Sequence, residues 1–213
     1  MKITVKTHLF LIRIFDITFS CIALLLFLPL FILVSLAIKV SSRGPIMFKQ
    51  KRVGKDLKIF TIYKFRTMFH DASRFVGDVS DTLTVEELKR VRPSFVTTDK
   101  NDLRVTKIGK ILRKSSLDEL PQLLNVLLSE MSFVGPRPDT PVQIIDYTAD
   151  QWIKRHKYRP GITGISQITG RSKITTEHRI HSDLEWVDNV SIFSYFKIIF
   201  ITVFQVIAKR GSF

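Results

Sequence analysis

The sequence predicts an α+β fold, mostly helical, in which an N-terminal re-entrant membrane helix hairpin (residues 1–40) precedes a cytoplasmic, interfacial domain (residues 41–213) containing a short β-hairpin. Three observations predict it. An uncharged run from Ile17 to Ile38 is interrupted near its middle by Pro29. Two β-prone segments flank a turn-rich connection at Arg52–Asp56, and apolar residues recur at helical spacing over Leu117–Leu128 and Ile198–Ala208. A chain of 213 residues buries one good core, so one globular domain with a membrane element fits its length.

The uncharged run comes first. Its 22 residues, at about 1.5 Å per helical residue, would reach the thickness of a hydrocarbon core. A cleavable signal peptide fits poorly, because the run is too long and no small-residue cleavage site precedes the basic stretch that follows. Lys2, Lys6 and Arg13 lie before the run, and Lys39, Arg43, Lys49, Lys51 and Arg52 lie after it, so both flanks favour the cytoplasm. Pro29 lacks an N–H and clashes with the carbonyl four residues earlier, which bends a helix. A helix that dips into one leaflet and returns satisfies both flanks; a kinked spanning helix with unequal positive flanks is the alternative. Cys21, the single cysteine, reads as membrane packing and excludes an internal disulfide framework.

Beyond the run the chain is basic. Lys39 to Arg66 holds nine basic residues and one acidic residue, placed to lie over anionic head groups. Within it Ile46–Gln50 and Leu57–Tyr63 read as the two strands of the hairpin. His70–Thr98 is polar and mixed, and reads as a mobile or variable region; within it Thr84–Leu88 reads as a capped helix start and Pro93 as its end. Ile198–Ala208, at 11 uncharged residues, is too short to cross a bilayer and reads as a core or interfacial helix. No internal repeat or low-complexity tract is present. The net charge of +14 beside 45% hydrophobic residues and 17 Phe calls for an anionic partner, either nucleic acid or a membrane surface with phosphorylated substrates. The apolar N-terminus favours the membrane, and no nucleic-acid-binding signature stands out.

The residues suited to chemistry fall in three clusters. The densest is Arg113-Lys114-Ser115-Ser116-Leu117-Asp118-Glu119-Leu120-Pro121-Gln122-Leu123. Ser116 and Glu119 match the S-x-x-E capping box, and Asp118 in a first helical turn would favour the helix dipole with no catalytic role. The same residues also supply the parts of a phosphoryl-transfer site: helix N–H groups and Arg113 for phosphate, and Asp118 as an ionised nucleophile. Positioning and charge neutralisation carry most phosphoryl transfers, so a carboxylate, an arginine and a magnesium ion are the types required. A second cluster, Met131 to Pro138, holds Arg137 between two prolines that stiffen its backbone. In the third, Arg159-Pro160-Gly161-Ile162-Thr163-Gly164 with Gln167 and Gly170-Arg171, permissive glycines accompany two more guanidinium groups. The five histidines show no metal-ligand spacing and receive no role.

Taken in order, these motifs resemble the bacterial sugar transferases, the monotopic polyprenyl phosphate phosphoglycosyl transferases. The resemblance runs through Gln50, Arg52, Gly54 and Tyr63-Lys64-Phe65-Arg66, then Asn101-Asp102, Arg104, Thr106, Gly109 and Leu112-Arg113-Lys114. It continues in Ser116 to Leu123, Asn125-Val126, Met131-Ser132, Gly135-Pro136-Arg137-Pro138, the Arg159 and Gly170 segments, and Gly211-Ser212-Phe213, which covers nearly the whole chain. It implies an enzyme of the small, minimal catalytic form, on the cytoplasmic face of a bacterial inner membrane. Its partners would be a UDP-sugar, undecaprenyl phosphate, inner-membrane lipids and downstream glycosyltransferases.

The resemblance further implies that Asp118 attacks the sugar-attached phosphate, releases UMP and forms a phosphosugar-aspartyl intermediate, which the carrier phosphate then attacks. Glu119 would assist the acceptor, Mg2+ would lie at Asp118, and Arg113, Arg137, Lys64 and Arg66 would bind substrate phosphates. Arg159, Gln167 and Arg171 are further candidates for substrate binding, and Pro29 marks the membrane break. The product would start assembly of a cell-surface glycoconjugate. Two positions depart from the family pattern. Leu28, not serine, precedes Pro29, so no hydroxyl there satisfies the freed carbonyl; and Tyr195 stands where the pattern carries aspartate, which removes any helix contact that aspartate makes. From another class, a non-catalytic basic membrane-associated scaffold would fit the charge pattern alone.

Overall fold

A computed structural model describes residues 4–70, 85–91, 102–170 and 175–208. Two helices open the chain: α1 (Val5–Leu26), capped by the Thr4 hydroxyl, and α2 (Leu28–Ser41). They meet at Phe27, whose φ of −90° and ψ of 4° leave the helical region. Pro29 falls in the first turn of α2, where its missing N–H would be unpaired in any case. The helix therefore restarts where the sequence places the break, and the Phe27 N–H closes α1 onto the Ala23 carbonyl. Among the described helices, α1 is the one long and apolar enough to cross a membrane.

Burial divides these helices by position. The buried residues of α1 are Ile12, Asp16 and Ser20, and those of α2 are Val34 and Ile38. Around the junction Ile22, Leu25, Leu26, Phe27, Leu28, Ile32 and Leu33 are all exposed. Both outer ends thus pack on the rest of the protein, through different clusters. Ile12 joins Val134, Trp186, Val187, Val190, Tyr195 and Ile198, whereas Val34 and Ile38 join Phe65 and Leu112.

The hairpin forms as β1 (Met47–Val53) and β2 (Ile59–Phe65), antiparallel with Gln50 opposite Ile62 and Arg52 opposite Phe60. Its first strand runs to Val53, three residues beyond Gln50, because Val53 N–H donates to the Asp139 carbonyl and Arg52 is held at Pro138. The turn is a short 3-10 segment, Lys55–Leu57, with Asp56 and Leu57 at positive φ. A short helix α3 (Val85–Val91) follows, as the sequence predicts; its expected cap at Thr84, the stop at Pro93 and most of the polar region lie outside the described residues.

Next come α4 (Lys107–Ser115), a 3-10 turn at Leu117–Glu119 and α5 (Gln122–Leu127). Strand β3 (Ser132–Val134) pairs in parallel with β4 (Gly161–Thr163), a second two-stranded sheet that the sequence reading does not contain. Between them lie a 3-10 segment, Pro141–Asp146, and α6 (Ala149–Arg155). The chain ends in α7 (Ile165–Thr169), α8 (Thr176–Asp188) and α9 (Ile192–Ile207). One face of α9 buries Tyr195 and Ile198 while Phe193, Phe200, Val203 and Phe204 stay exposed, so it is a core helix with an apolar outer face. Tyr195 is fully buried and donates to Asp16 Oδ1 at 2.9 Å, so this position does make a helix contact, and it reaches α1.

Candidate active site

Strand alternation positions the first cation. Phe60 and Ile62 point to one face of β2, against Val126 and Met131, and Lys64 continues that row. On the paired strand Gln50 and Arg52 share the face, since residues directly opposite in an antiparallel pair project together. The free edge of β2 is closed by one side chain. Asn125, fully buried at the middle of α5, accepts from Tyr63 N–H at 3.1 Å and donates to the Thr61 carbonyl at 2.7 Å. It takes the place of a neighbouring strand and fixes the spacing between β2 and the Asp118–Glu119 turn.

That turn forms differently from the local motif. Ser116 adopts a left-handed conformation, φ 57° and ψ 16°, and its N–H closes α4 by donating to Arg113 and Leu112 carbonyls. The S-x-x-E sequence is therefore a helix end followed by a tight turn, and the expected capping box is absent: Ser116 makes no side-chain cap there. A non-glycine residue in this region is disfavoured by about 1–2 kcal/mol. The gain is that Glu119 points at Lys64, with Nζ to Oε1 at 2.7 Å, and approaches Arg137, with Nη2 to Oε1 at 3.5 Å. Arg113, in the last turn of α4, donates from Nε to Thr67 Oγ1 at 2.9 Å. Close packing at Gly109 allows this, since a Cβ there would collide with the Thr67 carbonyl.

Arg137 is held from behind. From Val134 to Thr140 it is the one exposed residue in a buried stretch. Four consecutive carbonyls accept hydrogen bonds: Pro136 from Gly161 N–H, Arg137 from Arg155 Nη2 at 2.6 Å, Pro138 from Arg52 Nη1 at 2.9 Å and Asp139 from Val53 N–H. The second and third sequence clusters meet here as the β3–β4 pair. Their glycines serve close approach, not unusual backbone angles: a Cβ at Gly161 would overlap the Gly135 amide nitrogen, and neither residue has positive φ.

Behind the loop sits a closed ionic network. Arg155, 1% exposed, pairs with Asp139 Oδ2 at 2.7 Å and with Asp183 Oδ2 at 2.7 Å. Tyr147 donates to Asp139 and Ser166 to Asp183, while Arg179 adds a longer pair to Asp139. Burial raises Asp183, Arg155 opposes this, and the adjoining His156 falls to about 4 through burial and then Arg155, so its imidazole is neutral.

Electrostatics separate the two carboxylates of the turn. Burial, opposed first by Lys64 and reinforced by Glu119, pushes Asp118 up to about 6. Burial alone would also raise Glu119, but Lys64 and then Arg137 reverse it and hold that carboxyl at about 2. Burial lowers Lys64 despite Glu119, and burial followed by Arg137 brings Arg52 down to about 10. Lys64, Arg113, Arg137 and Arg52 thus face two carboxylates, a surplus of positive charge suited to phosphate groups. No hydrogen bond from a described residue reaches the Asp118 carboxylate. No group of three or more His, Cys, Asp or Glu converges among the described residues, so Asp118 is the residue that would hold a Mg2+ ion, together with substrate phosphate oxygens and water.

Of the other residues singled out from sequence, Arg66 is 3% exposed and binds Ser42 Oγ and carbonyl, behind α2, with Nε and Nη1 unpartnered. Arg159 donates to the Ser129 carbonyl, and Gln167 to the Ile162 carbonyl. None of these three contacts the dyad. Arg171 lies outside the described residues. Arg52 and Asn125 carry part of the family resemblance without being assigned to the site, and Asp139, Arg155 and Asp183 give no local signal, since the two ion pairs of Arg155 span 16 and 28 positions.

The fold and site define a member of the bacterial sugar transferase family: the family model matches residues 7–209, and the chain belongs to it and is an enzyme of the transferase class. Over 211 residues it is 41% identical to undecaprenyl-phosphate glucose phosphotransferase of Komagataeibacter xylinus, covering 94% of this chain and 36% of that protein. It is 39% identical over 209 residues to exopolysaccharide production protein ExoY of Rhizobium meliloti (strain 1021), covering 94% of this chain and 87% of the relative. A third relative, UDP-glucose:undecaprenyl-phosphate glucose-1-phosphate transferase of Klebsiella pneumoniae, is 38% identical over 208 residues, covering 94% of this chain and 41% of the relative. The chain therefore spans about two fifths or less of two of these relatives and most of the other.

Proposed function

We propose that this protein transfers a sugar 1-phosphate from a UDP-sugar to undecaprenyl phosphate at the cytoplasmic face of a bacterial inner membrane, the first step in building a cell-surface polysaccharide. One observation carries the reading: Asp118 is an uncommitted carboxylate beside Lys64, Arg113 and Arg137. An Asp118 oxygen attacks the phosphorus bound to the sugar, the bond to the UMP oxygen breaks, and UMP leaves. The aspartyl phosphosugar is then attacked at the same phosphorus by an oxygen of the carrier phosphate, which frees the Asp118 carboxylate and leaves a polyprenyl diphosphate sugar. The number of phosphoanhydride-type bonds is unchanged, so no further energy source is needed.

Lys64, Arg113, Arg137 and Arg52 hold the donor diphosphate and the negative charge that builds in transfer. Glu119 remains ionised and orients Lys64 and Arg137. Mg2+ held by Asp118 with substrate oxygens would supply further neutralisation of phosphate charge. The membrane part of the reading is a hairpin of α1 and α2 that enters one leaflet and returns. It is supported by the packing of both outer ends on one body and by the exposed apolar surface around Phe27. Purified protein in detergent is expected to release UMP from one or more members of a UDP-sugar panel when undecaprenyl phosphate is present, and Asp118→Asn is expected to release none while still fractionating with membranes. Release of UMP by the Asp118→Asn protein at the wild-type rate would refute the mechanism.

A further inference from the structure

Away from the dyad, a cavity of about 140 Å³ opens between α1 and the β3 side of the body. Leu9, Ile12, Val134 and Val190 form its apolar wall, and Arg13, Lys55 and Arg159 supply three cations against one carboxylate, Asp16. Two of the cations meet at Ser129, and Lys55 lines the same cavity. Arg13 donates to the Val126 and Leu127 carbonyls and to Ser129 Oγ, closing the C-terminal end of α5, and Arg159 Nε donates to the Ser129 carbonyl. All of these acceptors are neutral. Neither guanidinium has an ion-pair partner among the described residues, and Arg159 keeps four N–H donors beyond that bond. Among the described residues Lys55 pairs with the exposed Asp56, at 3.6 Å. Asp16 directs Oδ1 to Ser132, Phe133 N–H and Tyr195.

Two guanidinium groups drawn to one serine would repel each other unless an anion lies between them. At about 140 Å³ the cavity is smaller than the ~300–1,000 Å³ of sites that enclose larger ligands, and it suits a single tetrahedral head group. We propose that this cavity binds a phosphate group, monoester or diester, through Arg159, Lys55 and the remaining Arg13 donors. Two sources carry that chemistry, a phospholipid head group whose acyl chains run along the exposed face of α1, or free phosphate. The lipid source rests on the membrane reading of α1 and α2; phosphate recognition does not.

The full chain, purified in detergent, is compared in two arms. In one it is mixed with phosphatidylglycerol or phosphatidylcholine and the retained lipid is counted by native mass spectrometry; in the other, lipid-free micelles are titrated calorimetrically with inorganic phosphate. Wild type is expected to retain phosphatidylglycerol in preference to phosphatidylcholine. The pair Lys55→Gln and Arg159→Gln is expected to weaken retention at least ~10-fold through loss of charge-assisted hydrogen bonds, while Lys55→Arg with Arg159→Lys keeps most of it. Arg13 is left intact so that the end of α5 stays closed, and Leu9→Phe, which narrows the cavity with every charge in place, is expected to reduce binding if the glutamine pair fails to fold. Binding of inorganic phosphate with the same dependence on Lys55 and Arg159, without lipid retention, identifies free phosphate as the occupant. Binding of neither probe, or equal binding by wild type and every variant, overturns the proposal. The Asp118→Asn protein should bind as wild type does, so failure of this site and failure of the transfer reaction are read separately.

Discussion

The protein contains two clusters of opposite charge about one loop apart, and they are built on different principles. Around Arg155 the carboxylates of Asp139 and Asp183 are buried and matched, with Tyr147 and Ser166 completing the hydrogen bonds. Around Asp118 the cations outnumber the carboxylates, and the Asp118 carboxylate has no hydrogen bond from any described residue. A closed network holds a shape, whereas an open one with surplus charge awaits a ligand. Arg137 belongs to both, its carbonyl tied to Arg155 and its guanidinium turned to Glu119.

The largest expected effect lies on the open side. Asp118→Asn should lower UMP release by on the order of 10³-fold or more, with a melting temperature no lower than wild type, because the substitution removes a charge that burial disfavours. On the closed side, Arg155→Leu removes the cation shared by Asp139 and Asp183 and leaves Asp139 with the longer Arg179 pair. Denaturant unfolding in detergent should show a loss of about 3–5 kcal/mol. If that variant instead keeps its stability and loses only activity, the division between the clusters fails.

Smaller effects refine the comparison. Asn125→Ala removes the side chain that stands in for a strand, and should destabilise the fold by about 1–3 kcal/mol as Tyr63 N–H and the Thr61 carbonyl lose their partner. The first half-reaction should also depend on acid. In the proposed reaction Asp118 would attack only when deprotonated, and burial pushes its pKa up to about 6, so UMP release should be level above that pH and fall about tenfold per unit below it. Glu119, at about 2, adds nothing to this limb. In Glu119→Gln a neighbouring negative charge that raises Asp118 is gone and Lys64 is released to it, so the limb should move to lower pH. A limb that stays near 6 in that variant would mean that Glu119 does not act on Asp118.

The comparison also explains what the sequence made legible. The hairpin is readable because two β-prone segments flank a turn-rich connection, and the helix break because Pro29 marks it. The dyad stood out because two carboxylates follow a run of basic and hydroxyl residues. Ser116 misled, since S-x-x-E fits a capping box locally, yet Glu119 is taken by Lys64, 55 positions away, and the backbone turns left-handed to deliver it. The Arg155 network is invisible because its members share no period; Arg155 on α6 meets Asp183 on α8 and Asp139 in the loop after β3 through tertiary packing. The family resemblance assigns Arg66 to substrate phosphate and Arg159 to substrate binding, and the fold adds a contact that the sequence does not show for either, Arg66 to Ser42 and Arg159 to the Ser129 carbonyl.

The central claim is that Asp118 becomes covalently bound to a sugar phosphate. The protein should be mixed with an accepted UDP-sugar, without undecaprenyl phosphate, quenched in acid, and examined by intact mass followed by peptide mapping. A mass gain equal to one sugar phosphate, confined to the peptide carrying Asp118 and abolished by added acceptor, is the predicted result. Turnover of donor to UMP with acceptor present, but no adduct at any quench time without it, would contradict the account.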